Sequence, residues 1–252
     1  MVNGMVIVNK ARIMNSKQFE TYLSQINLQG SHALEANETT LFDIYRAHVM
    51  RFPYQNLDLY LGKPMQSLSI ENLLKIMPNR GGYCFHHFEL MFAALRFLEF
   101  HVKGVAAWIL MGKEFSIGMP QTHKFILVKI GSDLYICDPG MDAATPRWPL
   151  KFNFEANEEI TIGEGEEYKL EVEYDHYQLF WKGKKSWYGL YRFERDHLTK
   201  MPKTSHSSTT FDLCKHVHDS PKHIPVRDDF VIISIQTLDS ILCEYFSWSQ
   251  SF

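Results

Sequence analysis

Residues Phe85 to Phe100 are apolar on almost every face. A run of that length is a helix rather than a strand, and a helix that is apolar all round has to be buried. The rest of the chain must therefore supply its cover. Arg80-Gly81-Gly82-Tyr83-Cys84 stands immediately before it, so a glycine turn delivers Cys84 to a helix start. With 252 residues, of which 45% are apolar and 22% charged, the chain can bury a substantial core. Neither disorder nor a fibre fits that composition, and domain count has to come from pattern.

Upstream, Phe19, Tyr22, Leu23 and Ile26 repeat at helical spacing behind Asn15 or Ser16, predicting a helix from Ser16 to about Leu28. Leu41, Ile44, Tyr45 and His48 predict a second helix behind Thr39 and Thr40. It should end before Pro53, because a residue preceding proline avoids the helical region. Ser69 opens a third through Leu73, Leu74 and Ile76, ending near Pro78. Beyond residue 101 the texture turns to β-type runs at 102–110, 125–130, 134–137, 168–174 and 190–193, with a hairpin signal at Gly131-Ser132-Asp133. This predicts a mostly antiparallel sheet or small barrel. Between Lys200 and Val226 the chain is rich in Ser, Thr, His and Pro and reads as a long ordered loop. A last strand at Phe230 to Ile235 and a short helix from Leu238 follow.

A net charge of -3 with scattered Lys and Arg gives no field to attract nucleic acid, which is not an expected partner. No stretch approaches the ~20 apolar residues of a membrane span, and the first residues lack the continuous run of a signal peptide, so the expected compartment is the cytosol. The four cysteines, at 84, 137, 214 and 243, show no C-x-x-C spacing, so neither a zinc knuckle nor a disulfide framework is supported. His86 and His87 would point about 100 degrees apart on a helix with no third ligand evident, so no metal is expected.

A free cysteine is mostly thiol at neutral pH, and a nucleophilic one needs a helix N-terminus, a nearby histidine, or both. The helix start favours thiolate at Cys84, and the glycines let backbone N–H groups approach an oxyanion. His123 sits just before the run 125–130, and the strand 134–137 ends at Asp138. A hairpin joining these strands would bring His123 and Asp138 together, with the aspartate fixing the imidazole tautomer. Alternation turns Cys137 to the opposite face, into the core. Taken singly, each of these residues has a bland reading: Cys84 as a buried core residue, His123 and Asp138 as turn residues. Taken together they read as a catalytic Cys-His-Asp triad.

These residues resemble the arylamine N-acetyltransferase family, whose members carry R-G-G-x-C followed by a histidine and an aspartate at spacings like those here, 39 and 15 residues. The segment Leu41 to Gly62, with His48, Pro53, Asn56, Leu57 and Gly62, is similar to the family's H-x-x-x-x-P-F-E-N-L region. The resemblance implies an α+β fold: an N-terminal helical bundle over 1–100 carrying the cysteine, a central antiparallel β-barrel over 101–200 carrying His and Asp, and a C-terminal α/β lid over 201–252. The triad, arranged as in cysteine proteases, would lie where the first two meet. It further implies a ping-pong reaction in which Cys84 takes an acetyl group from acetyl-CoA and passes it to an aromatic amine or hydrazine, with no metal. Tyr54, Gly140 and Met141 would shape the substrate site, and Ser208 and Thr209, in a segment resembling the family's Ser/Thr stretch, would lie near the coenzyme.

The chain departs from the family pattern at several places. Gln55 replaces the Glu that pairs with the motif arginine, here Arg80; Phe88 stands where Asn is usual; Asp142 closes the turn that is glycine-rich in many members; and Trp108 replaces an arginine. An amide synthase of natural-product biosynthesis, a thioester hydrolase or transglutaminase-like enzyme, and a degenerate binding protein all remain compatible with the triad.

Overall fold

The computed structural model describes residues 14–29, 34–163, 165–195, 214, 215 and 217, with the strands 230–236 and 241–247. The helices expected from periodicity are present. Helix α1 (Ser16–Gln25) is closed by Asn15, whose side chain accepts from the Gln18 N–H while Gln18 reaches back to the Asn15 N–H. Helix α2 (Glu38–Arg51) is capped by Asn37 and stops at Phe52, as Pro53 requires. A single turn, α3 (Leu57–Tyr60), precedes α4 (Ile70–Arg80), which Ser69 caps.

Helix α4 runs past Pro78 rather than ending near it. Proline has no N–H to give the carbonyl of Leu74, which would be left orphaned in the packed bundle. Gln25 at the end of α1 supplies the missing donor, its Nε2 lying 2.8 Å from the Leu74 oxygen. A tertiary contact thus replaces the lost helical bond, and the extra residues carry Arg80 to the elbow before Cys84.

Helix α5 (Cys84–Phe97) buries nearly every side chain, as its composition demands. Its cover comes from α1, α2 and α4 on one side and from strands β2 (His101–Ile109) and β3 (His123–Ile130) on the other. An eight-stranded antiparallel sheet follows in the order β5-β4-β3-β2-β9-β8-β7-β6. Its members are β4 (Asp133–Cys137), β5 (Leu150–Phe152), β6 (Glu158–Gly163), β7 (Glu166–Glu173), β8 (His176–Lys182) and β9 (Trp187–Glu194). The two ends, β5 and β6, come into contact, so the sheet curls into a nearly closed barrel.

Strands β3 and β4 serve two cores. Ile126, Val128, Tyr135 and Cys137 pack against the helices, whereas Phe125, Leu127 and Ile136 point into the barrel with Tyr177, Leu179, Tyr191 and Phe193. Burial on both faces explains why 125–128 reads as a continuous apolar run instead of an alternation. Cys137 faces the helical core as its position predicts. The sequence reading does not anticipate β5, β6 or β8; β6 is half exposed and rich in glutamate, which hides it.

The C-terminal strand β10 (Phe230–Gln236) pairs on one side with β11 (Ile241–Ser247) and on the other with the short β1 (Tyr54–Gln55) from between α2 and α3. The expected short helix from Leu238 is corrected here: from Ile241 the chain is a strand, its backbone hydrogen bonds taken by β10. Residues 238–240 and most of the 200–226 segment, including Ser208 and Thr209, lie outside the described residues.

Candidate active site

The elbow before α5 is built on the segment 53–55. Gly82 donates its N–H to the Pro53 carbonyl (3.1 Å) and accepts from the Gln55 N–H (2.9 Å), a parallel bridge that fixes the chain just before Cys84. Gly81 has φ +68 and ψ -161, backbone that only glycine adopts freely. Gln55 is expected to leave Arg80 without its family partner, yet Arg80 has one. Gln55 turns to accept from the Leu57 N–H (2.7 Å), and Arg80 Nη2 finds both oxygens of Asp58 at 2.8 and 2.9 Å. The ion pair lost with the family glutamate is thus replaced from α3.

A buried hydrogen-bonded chain underpins this elbow, and the sequence did not reveal it. His87 Nε2 lies 3.1 Å from the Gly82 oxygen and 3.3 Å from that of Pro53, its Nδ1 lies 3.1 Å from His48 Nε2, and His48 Nδ1 lies 2.9 Å from the Tyr22 hydroxyl. Carbonyls only accept, which assigns the His87 proton to Nε2; His48 then donates from Nε2, and Tyr22 donates to His48. Burial pushes the His87 pKa down to about 4 and that of His48 well below its ordinary value, so both rings are neutral. The His86-His87 pair thus has a packing role at position 87, and among the described residues no group of three metal-ligating side chains occurs. His87→Leu should cost about 3 kcal/mol, because the His48 N–H loses its acceptor in the core and the Gly82 and Pro53 carbonyls each lose one of two donors. A urea unfolding curve unchanged from wild type would contradict this.

Cys84 at the start of α5, and His123 and Asp138 on the β3–β4 hairpin, are all buried where the helices meet the barrel. Asp138 Oδ2 accepts from His123 Nε2 at 2.7 Å, and its Oδ1 lies 3.3 Å from the Gly140 N–H. His123 Nδ1 is buried and has no hydrogen-bond partner. Cys84 Sγ lies 4.0 Å from the carbonyl of Thr122, the residue before His123. Gly140 is pressed against Cys84: a Cβ there would stand 2.7 Å from Cys84 Cα.

The electrostatics differ from the sequence expectation in one respect. Burial pushes the Cys84 thiol well above its usual range, with negative charge on Cys214 and Asp138 adding to the effect; the N–H groups of Phe85 and Cys84 oppose it. Desolvation outweighs the helix start. In the closed site burial therefore favours the thiol over the thiolate at Cys84.

Two tyrosines complete the surroundings and carry no sequence signal. Tyr45 donates to the carbonyls of Asp138 and Pro146, both at 2.9 Å, locking the turn after β4. The Tyr191 ring lies 5.2 Å from that of His123, closing one side of the imidazole. Of the positions expected to meet substrate, Tyr54 packs with Tyr83, Cys84 and Phe85, and also with Cys214. Met141 is buried in the barrel core.

Residues 38–237 match the N-acetyltransferase family profile. An arylamine N-acetyltransferase of Mycobacterium tuberculosis (strain ATCC 25618 / H37Rv) is 32% identical over 177 residues, covering 68% of this chain and 61% of the relative. The chain thus spans about three fifths of that relative's length. Among solved structures, an arylamine N-acetyltransferase from Salmonella typhimurium superposes with a TM-score of 0.76 at 22% identity, covering 92% of this chain and 80% of that one. A Mycobacterium marinum arylamine N-acetyltransferase in complex with CoA gives 0.73 at 23%, covering 89% and 79%.

Proposed function

Since the chain belongs to the arylamine N-acetyltransferase family, we propose that it moves an acetyl group from acetyl-CoA to an aromatic amine or hydrazine through a thioester on Cys84. The observation that carries this reading is the 2.7 Å contact of His123 Nε2 with Asp138, which leaves Nδ1 unpartnered. With the Nε2 proton committed to Asp138, Nδ1 is free to act as a base.

As the Cys84 sulfur attacks the acetyl carbonyl of acetyl-CoA, His123 Nδ1 takes the thiol proton, and the imidazolium is stabilised by Asp138. The N–H groups of Cys84 and Phe85 at the start of α5 face the developing oxyanion. When the C–S bond to CoA breaks, His123 returns the proton to the departing thiolate. The amine nitrogen then attacks acetyl-Cys84, gives a proton to His123, and the Cys84 thiolate recovers it as its own C–S bond breaks. The shared fold with a relative solved in complex with CoA supports the choice of donor. The test is intact-protein mass after mixing with acetyl-CoA and no acceptor. The expected result is one acetyl adduct on wild type, absent from Cys84→Ser and discharged by an arylamine. A wild type that stays unmodified while Cys84 reacts with an alkylating agent would overturn acetyl-CoA as donor.

A further inference from the structure

Asp142 is an anomaly beside this site. It opens the 3-10 turn Asp142–Ala144 at φ +56, a left-handed conformation rare for a residue with a side chain, and it is 7% exposed. Both carboxyl oxygens are buried and neither has a hydrogen-bond partner. The Ser234 hydroxyl and the Ala143 N–H lie near enough to favour the charged form, yet neither completes a hydrogen bond. Burial dominates and pushes the carboxyl up to about 7. A buried carboxyl with no partner is costly, and costs of this kind persist where a ligand supplies what the fold leaves out.

The surroundings indicate which ligand. Ser234 on β10 is the cross-strand partner of Tyr54 on β1, and Tyr54 bridges to Gly82 at the Cys84 elbow. Burial pushes the Tyr54 phenol up, and charge on Cys84, Asp142 and Asp138 adds to the effect. Two residues before Asp142, Gly140 touches Cys84. Tyr54 packs with Cys84, its strand partner Ser234 lies on β10, and the Asp142 turn packs against β10, so the unpaired carboxyl and the nucleophile flank the same β1–β10 pairing.

Building on the acyl-transfer reading of this site, we propose that Asp142 is a specificity-determining residue that selects acceptors bearing a cationic hydrogen-bond donor, such as an amidine or ammonium, set back from the nucleophilic nitrogen. A planar cation can meet both carboxyl oxygens at once, and the low-polarity surroundings strengthen that pairing. The same carboxyl repels an acceptor that carries its own carboxylate.

The test uses three ligands of one shape: 4-aminobenzamidine, 4-aminobenzamide and 4-aminobenzoate, titrated at pH 8 against wild type, Asp142→Asn and Asp142→Gly without acetyl donor. Glycine is at ease at φ +56, so the second variant keeps the turn. Wild type should bind the amidine at least ~10-fold more tightly than the amide and the benzoate most weakly. Both variants should lose the amidine preference. Their Cys84 should still take an acetyl group from acetyl-CoA. An order that is the same in all three proteins, or no binding of the amidine to wild type, overturns the proposal. Binding without donor separates the two readings. Amidine preference with no acetyl adduct refutes acetyl-CoA as donor and leaves Asp142 standing, whereas an adduct with no preference refutes Asp142 alone.

Discussion

Asp138→Asn is expected to lower kcat/KM for acetyl transfer by about 10^4-fold while leaving the fold intact. The carboxylate accepts on both sides, from His123 Nε2 at 2.7 Å and from the Gly140 N–H at 3.3 Å. An amide of the same shape cannot do both. If its oxygen stays with Gly140, its NH2 faces His123, whose Nε2 must then present a lone pair and move its proton to Nδ1. That tautomer cannot take the proton from Cys84. If the amide turns over, two N–H donors face each other at Gly140, and the imidazolium has lost its countercharge. Steady-state kinetics paired with near-UV circular dichroism check this result. Activity within tenfold of wild type would remove Asp138 from the mechanism.

Gly81→Ala should destabilise the protein by about 3–5 kcal/mol, the sum of a forbidden backbone conformation and broken hydrogen bonds. A Cβ on Gly81 would stand 2.0 Å from the Pro53 carbonyl oxygen. That atom is backbone and cannot swing aside as a side-chain tip could. It also accepts from Gly82 N–H and from His87 Nε2, so displacing it loosens both supports of the elbow. Cys84 sits two residues beyond Gly82, and its approach to Gly140 leaves no slack. Acylation of Cys84 should slow along with the loss of stability. Urea unfolding measures the first effect; a cost below about 1 kcal/mol would mean that the elbow yields, contrary to the packing described.

The departures from the family pattern now have physical content. Gln55 is compensated, because Asp58 takes over Arg80. Phe88 lies under the Lys124 ammonium, 4.5 Å from its ring centroid, and packs in the helical core. Asp142 is the one departure whose polar atoms find no partner within the described residues, and for that reason it is the one assigned to a ligand.

Local pattern determined the helices, the buried character of α5, the hairpin at Gly131 and the placement of Cys84 at a helix start. Periodicity, capping side chains and glycine turns act over a few residues and are written directly in the chain. The hairpin likewise placed His123 beside Asp138, because antiparallel pairing fixes which strand ends are neighbours. Other features depended on residues far apart in the chain. Gln25 rescues the Leu74 carbonyl from 49 positions away, and His48 meets His87 across 39. The β10–β11 pairing replaced an expected helix because a neighbouring strand offered its hydrogen bonds. The protonation of Cys84 was also decided in three dimensions. A helix start is visible in sequence, but the degree of burial that overrides it exists only once the barrel and the C-terminal segment have closed over the thiol.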